Sequence, residues 1–149
     1  MEEKRIVYHD EFVYAIQDRT PKSKYHFLVI PYKHIPNIHW ITKDMEGEKL
    51  IQHMMHVGNT KLGLTKEKYQ MGFHVPPFYS IDHLHMHVMS LPVANNFCWT
   101  FTPNCCFCFV SSEDYLRRIS SSNSKLQIHA VAPISPEMKR GSYQSELEP

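Results

Sequence analysis

Hydrophobic and polar positions along this chain follow two periods, and the switches between them predict the elements. Arg5-Ile6-Val7-Tyr8-His9 and Phe12-Val13-Tyr14-Ala15-Ile16 are short β-rich runs on either side of Asp10-Glu11, the pattern of a hairpin. Tyr25-His26-Phe27-Leu28-Val29-Ile30 is a nearly continuous apolar run closed by Pro31, as expected of a strand buried on both sides, with His26, Leu28 and Ile30 on one face. The pattern lapses into loop from Tyr32 to Trp40. Helical spacing follows: Leu50, Ile51, Met54, Met55 and Val57 form one stripe, with Thr42 as N-cap, Asp44 and Glu46 in the first turn and Gly63 as the stop. Period two returns in Tyr69-Gln70-Met71-Gly72-Phe73-His74-Val75 and, past Pro76-Pro77, in His83-Leu84-His85-Met86-His87-Val88-Met89.

Beyond Leu91-Pro92 the pattern weakens. Phe97–Phe101 and Phe107–Val110 are apolar enough for short strands or core loops. Ser111 and Asp114 have capping-box spacing ahead of Tyr115-Leu116-Arg117-Arg118-Ile119, which predicts a short C-terminal helix. Ser120-Ser121-Ser122-Asn123-Ser124 reads as a linker, and the stretch after Ile134, rich in proline and charge, as a disordered tail. The chain thus divides into one domain over residues 4–120 and a linker with tail over residues 121–149.

Composition adds limits. With 149 residues, 42% of them hydrophobic, the chain suits a single core. A net charge of +1 makes no electrostatic case for nucleic acid or for a membrane surface. No apolar run approaches the roughly 20 residues that span a bilayer, and the charged start Met1-Glu2-Glu3-Lys4-Arg5 does not read as a secretory signal. The expected setting is intracellular, in the cytoplasm and also the nucleus, where Cys98, Cys105, Cys106 and Cys108 would be reduced thiols.

The candidate chemistry lies in the histidine strand. In a β-strand His83, His85 and His87 share one face, about 6–7 Å apart, while Leu84, Met86 and Val88 take the other. Buried imidazoles need partners, and three uses fit: structural hydrogen bonds, a zinc site with an open fourth position, or phosphorus chemistry on a nucleophilic histidine with neighbouring donors to phosphate oxygens. Cys105 and Cys108 have Cys-x-x-Cys spacing, but no second pair of ligands completes a zinc set, and no metal or cofactor is expected.

His-Leu-His-Met-His-Val-Met fits His-φ-His-φ-His-φ-φ, φ being apolar, at all seven positions. With Met71-Gly72-Phe73-His74-Val75-Pro76-Pro77-Phe78, this resembles the third branch of the histidine triad (HIT) nucleotide-binding proteins and, more distantly, aprataxin, over about Arg5 to about Ile119. The resemblance implies an α+β fold, a five-stranded antiparallel sheet carrying one long helix, and a homodimer with a continuous sheet. It implies an adenosine 5′-monophosphoramidase-type hydrolase for AMP conjugates, in which His85 forms a nucleotidyl intermediate. His87 and Ser80 would serve the phosphoryl oxygens, with Ser80 also assisting the leaving amine, and His26 would buttress the triad that His83 opens. Asp18 would hold the ribose hydroxyls, Arg19, Phe12 and Ile16 would contribute to the base pocket, and His74 would approach the phosphate. Phe78 departs from the glycine of many relatives. Two other readings stand beside this one: an aprataxin-like deadenylase of nucleic-acid ends, which the missing basic patch disfavours, and a nucleotide-binding scaffold.

Overall fold

Period-two runs become six strands in the computed structural model, which describes residues 5–64, 66–94, 101 and 108–130, the last with side chains as far as Asn123. They are β1 (Ile6–His9), β2 (Val13–Gln17), β3 (His26–Pro31), β4 (Tyr69–His74), β5 (Met86–Ser90) and β6 (Phe109–Ser111). All pair antiparallel in one sheet of order β1-β2-β3-β5-β4-β6. The first hairpin turns at Asp10, whose Oδ1 accepts the backbone N–H groups of Phe12 at 2.8 Å and Val13 at 2.9 Å.

One face of the sheet packs on α1 (Met45–Thr60). Val29, Met71, Phe73, Met86 and Val88 meet Ile51, Met54 and Val57 in a core that excludes water; each such side chain contributes about 1.5–3 kcal/mol of burial. Gly58 allows this approach, because a Cβ there would lie 2.5 Å from the Met71 sulfur. Leu84 joins the same core, so the apolar side of the histidine segment faces α1 as its alternation required.

The opposite face carries the histidines. Register places Ile16, Leu28, His87, Gly72 and Ser111 in one row across five strands, with His26 opposite Met89 in the next. Phe101, Phe109 and Met89 form a small second cluster there.

Four expectations change. The histidine strand begins only at Met86; His83 and His85 lie in the segment that leads into it. The sheet has a sixth strand, because Phe109-Val110-Ser111 pairs with the outer edge of β4. Asp44, not Thr42, caps α1: its carboxylate accepts from the N–H groups of Glu46 and Gly47, while the Thr42 hydroxyl donates to it at 2.8 Å. The C-terminal helix α2 (Ser112–Ala130) runs straight through the serine stretch read as a linker from residue 121. Ser121 and Ser122 return their hydroxyls to the Arg118 carbonyl, and Asn123 donates to Glu48 of α1 at 2.9 Å, so local and tertiary bonds keep the run helical. The tail expected beyond Ile134, the run Phe97–Thr100, and Cys98, Cys105 and Cys106 lie outside the described residues; Cys108 is buried.

Candidate active site

The segment that carries the first two triad histidines is pinned to the chain leaving β3. His83 donates from Nε2 to the Pro31 carbonyl at 2.8 Å, and the Leu84 N–H reaches the Ile35 carbonyl at 2.6 Å. His85 then folds back so that its Nδ1 meets the His83 carbonyl at 2.7 Å. A carbonyl can only accept, so Nδ1 holds the ring proton and Nε2 keeps its lone pair.

A second chain of bonds fixes His87. The backbone N–H of Lys22 donates to His26 Nδ1 at 3.1 Å, which makes that nitrogen an acceptor and puts the His26 proton on Nε2. This N–H donates to His87 Nδ1 at 2.8 Å, with Asp18 Oδ2 3.5 Å from the same nitrogen. The neutral His87 ring is therefore protonated on Nε2, and that buried atom has no hydrogen-bond partner among the described residues. An unmet buried donor costs about 1–3 kcal/mol; an anionic oxygen is the group that would satisfy it.

Four imidazoles thus gather on one face. The His87 ring lies 4.8 Å from His74 and 5.0 Å from His85, centroid to centroid, and Phe101 stands against it at 5.2 Å. Burial is the main cause that drives His87 well below the ordinary histidine value, with the neighbouring imidazoles adding to it. Burial likewise lowers His26 to about 4, against the pull of Asp18. It lowers His85 despite the His83 carbonyl, and His74 despite its bond to the Cys108 carbonyl. The cluster is neutral at pH 7, the state in which an imidazole is a nucleophile.

Asp18 borders this cluster, one oxygen held by the Thr20 N–H at 2.8 Å and the other beside His26. Ile16 lies on the same sheet face. Arg19 and Ser80 are exposed, and the Ser80 hydroxyl makes no hydrogen bond among the described residues. Phe12 is not brought to the histidines; it packs edge-on against His53 of α1, with ring centroids 5.5 Å apart. Its place in the turn before β2 swings it towards the helix rather than the open face.

Sequence reasoning passed over three contributors. His34 packs against His83, Nδ1 to Nδ1 at 3.5 Å, from a loop with no periodicity to mark it. Phe101 and Phe109 wall the cluster from the weakly patterned region. Gly72 was a readable sign: a Cβ there would lie 2.6 Å from the Phe109 ring and 2.4 Å from the Val110 carbonyl, so only glycine admits β6 and its wall.

The triad does not converge as a metal site. Among the described residues, the groups whose ligand atoms lie within 4.8 Å of one another are Asp18, His26 and His87, not the row of three. His26 and His87 already bond to each other and would have to give that up to bind an ion.

A helix-backed antiparallel sheet with paired histidines on its open face defines the class of HIT-like α+β proteins. The family model described as "Scavenger mRNA decapping enzyme C-term binding" matches residues 1–101, and the chain belongs to this histidine triad family. It is 41% identical over 90 residues to the bifunctional adenosine 5′-phosphosulfate phosphorylase/adenylylsulfatase of Arabidopsis thaliana, a match covering 59% of this chain and 62% of that one. It is 37% identical over 89 residues to an adenosine 5′-monophosphoramidase of Xenopus tropicalis, covering 57% of each. Aprataxin of Gallus gallus is 35% identical over 56% of this chain but only 27% of its own length. The chain therefore spans less than two thirds of these relatives. Among solved structures, a HIT family hydrolase from Clostridium thermocellum superposes with a TM-score of 0.51 at 26% identity, over 57% of this chain and 76% of that one.

Proposed function

We propose that this chain hydrolyses AMP conjugates, adenosine 5′-phosphoramidates and acyl-adenylates, through a nucleotidyl intermediate on His85. The bond from His85 Nδ1 to the His83 carbonyl carries the reading, because it leaves Nε2 as a fixed lone pair. That lone pair attacks the α-phosphorus and the bond from phosphorus to the leaving group breaks; a departing amine takes a proton from the Ser80 hydroxyl, which recovers one from water, while the carboxylate of an acyl-adenylate leaves as the anion. Water then attacks the phosphorus, the bond to Nε2 breaks, and AMP leaves with the histidine restored. His87 offers its Nε2–H to a phosphoryl oxygen as charge grows there. Asp18 accepts from the ribose hydroxyls, and Ile16 with Arg19 borders the base.

The relatives' names support this class of reaction and leave the leaving group open; the adenylylsulfatase relative is the reason to include acid anhydrides of AMP among the substrates tested. A homodimer and a cytoplasmic and nuclear location belong to the same proposal. Support for the dimer is the exposed Ile6 and Val7 on the edge strand β1, and light scattering on the purified chain tests it. The decisive experiment is turnover of a fluorogenic adenosine phosphoramidate in EDTA. Wild-type activity should persist under chelation, and His85→Ala should lose about a thousandfold or more while still binding AMP; turnover retained in that variant would overturn the assignment.

A further inference from the structure

A second cavity lies between the turn before β2, the loop after β3 and the first half of α1, and it shares Pro31, His34 and Ile35 with the segment that seats His83. It encloses about 730 Å³, within the range of roughly 300–1,000 Å³ typical of small-molecule sites. Its walls are aromatic and unusually exposed: Trp40 at 70%, Phe12 at 61% and Tyr32 at 53%. Ile41 and Leu50 supply apolar lining. Three large rings left in water around a concave apolar surface form a slot for a flat partner.

One polar group in this slot is fixed in direction. His53 lines it, with Nε2 2.8 Å from Asp10 Oδ2. That carboxylate also accepts from the Tyr8 hydroxyl at 3.0 Å and from the N–H groups of Phe12 and Val13. Burial alone would push Asp10 up, but these hydrogen bonds outweigh it and hold the acid at about 2. An ionised carboxylate cannot donate, so His53 must, from Nε2; in the tautomer this bond selects, Nδ1 carries the lone pair and has no hydrogen-bond partner among the described residues. The charges at the mouth cancel: Lys33 and Lys49 stand with Glu11 and Glu46. Nothing there favours a phosphate or another net charge.

We infer that this cleft is a second ligand site, for an uncharged planar heteroaromatic compound with a ring N–H or amino donor, the chemistry shared by a nucleobase and an indole. The ring stacks among Trp40, Tyr32 and Phe12, and its donor meets His53 Nδ1. The inference does not rest on the reaction assigned to His85.

Calorimetric titration of the full chain with adenine and, separately, with indole tests it. At least one probe should saturate a single site with Kd below about 1 mM. Trp40→Ala and His53→Ala should each weaken it about tenfold, while Lys66→Ala, at an exposed position outside the cleft, should leave probe affinity unchanged. Tighter adenine binding would identify a nucleobase site, and tighter indole binding an indole site. Trp40 is so exposed that its removal spares the fold, which keeps the test valid if the His53 variant unfolds. Absence of saturation with both probes would overturn the inference. So would binding that falls in Ile16→Ala but survives Trp40→Ala, which would put the probe on the histidine face.

Discussion

The molecule holds histidine in two contrasting ways. On the open sheet face, His26 and His87 are buried and bonded chiefly to each other, with Asp18 only at 3.5 Å. At the edge of α1, His53 is half-exposed and clamped at 2.8 Å by an acid that four donors keep ionised. Burial without a close counter-charge favours the neutral ring and stores an unmet donor; a close carboxylate dictates the tautomer and leaves the ring in contact with water. The first arrangement suits making and breaking bonds to phosphorus, the second suits recognition.

The contrast can be broken in several ways. The largest effect is expected from His87→Leu, which removes the unmet Nε2–H: phosphoramidate turnover should fall about 100- to 1,000-fold, while stability in urea changes by no more than about 1 kcal/mol, because one buried orphan donor is gone and the His26 Nε2–H that loses its acceptor has Asp18 Oδ2 3.5 Å away. Equal losses of activity and stability would show that His87 is structural.

Acid should separate the two settings. The folded His26 titrates near 4 and the unfolded one near 6.5, so the unfolded chain binds its proton first. This contribution is intact above about pH 6.5 and disappears as pH falls towards 4, an effect of roughly 3 kcal/mol. Asp10, at about 2 when folded against 3.8 ordinarily, contributes fully above about pH 4 and loses it only as pH falls through about 2. Urea unfolding from pH 7.5 down to 3 should therefore lose stability in the upper window first, and a protein equally stable at pH 7.5 and 4.5 would contradict the burial argument.

Gly72→Ala should cost about 1–3 kcal/mol, since the added methyl meets the Val110 carbonyl and Phe109 ring and must displace β6. Turnover should fall with it as the wall beside His87 loosens; thermal melting and a single-point assay check both. The smallest effect is expected from Asp10→Asn, about 1–2 kcal/mol, with the acid loss below pH 4 reduced.

Legibility in the sequence followed the range of the interactions. His26 and His87 and the apolar face beneath them were readable because strand alternation is local; His85 precedes the strand, and family resemblance supplied its role and the others that spacing alone left open. The cap at Asp44 was missed because Thr42 and Asp44 both have N-cap chemistry, and only the geometry of the first turn chooses between them. The serine run looked like a linker because its composition says nothing of Asn123 reaching Glu48, 75 residues away. Phe12 reaches a base pocket only through the resemblance; the contact its ring makes, with His53 of α1, depends on a helix whose position no nearby residue encodes. β6 hid behind a weak pattern; Gly72 was its clearest trace.

The end of β3 and the loop after it hold the start of the histidine segment by their main chain. Two carbonyls, at Pro31 and Ile35, receive the bonds that seat His83 and Leu84. Carbonyls are common to every residue, so apart from His34, which packs on His83, the identities of the side chains between them matter less to the seat than their number. Substitutions along this stretch should therefore be tolerated far better than a one-residue insertion or deletion, which would slide one carbonyl off its partner and unseat the histidines. The candidate site has a length constraint set by main-chain carbonyls.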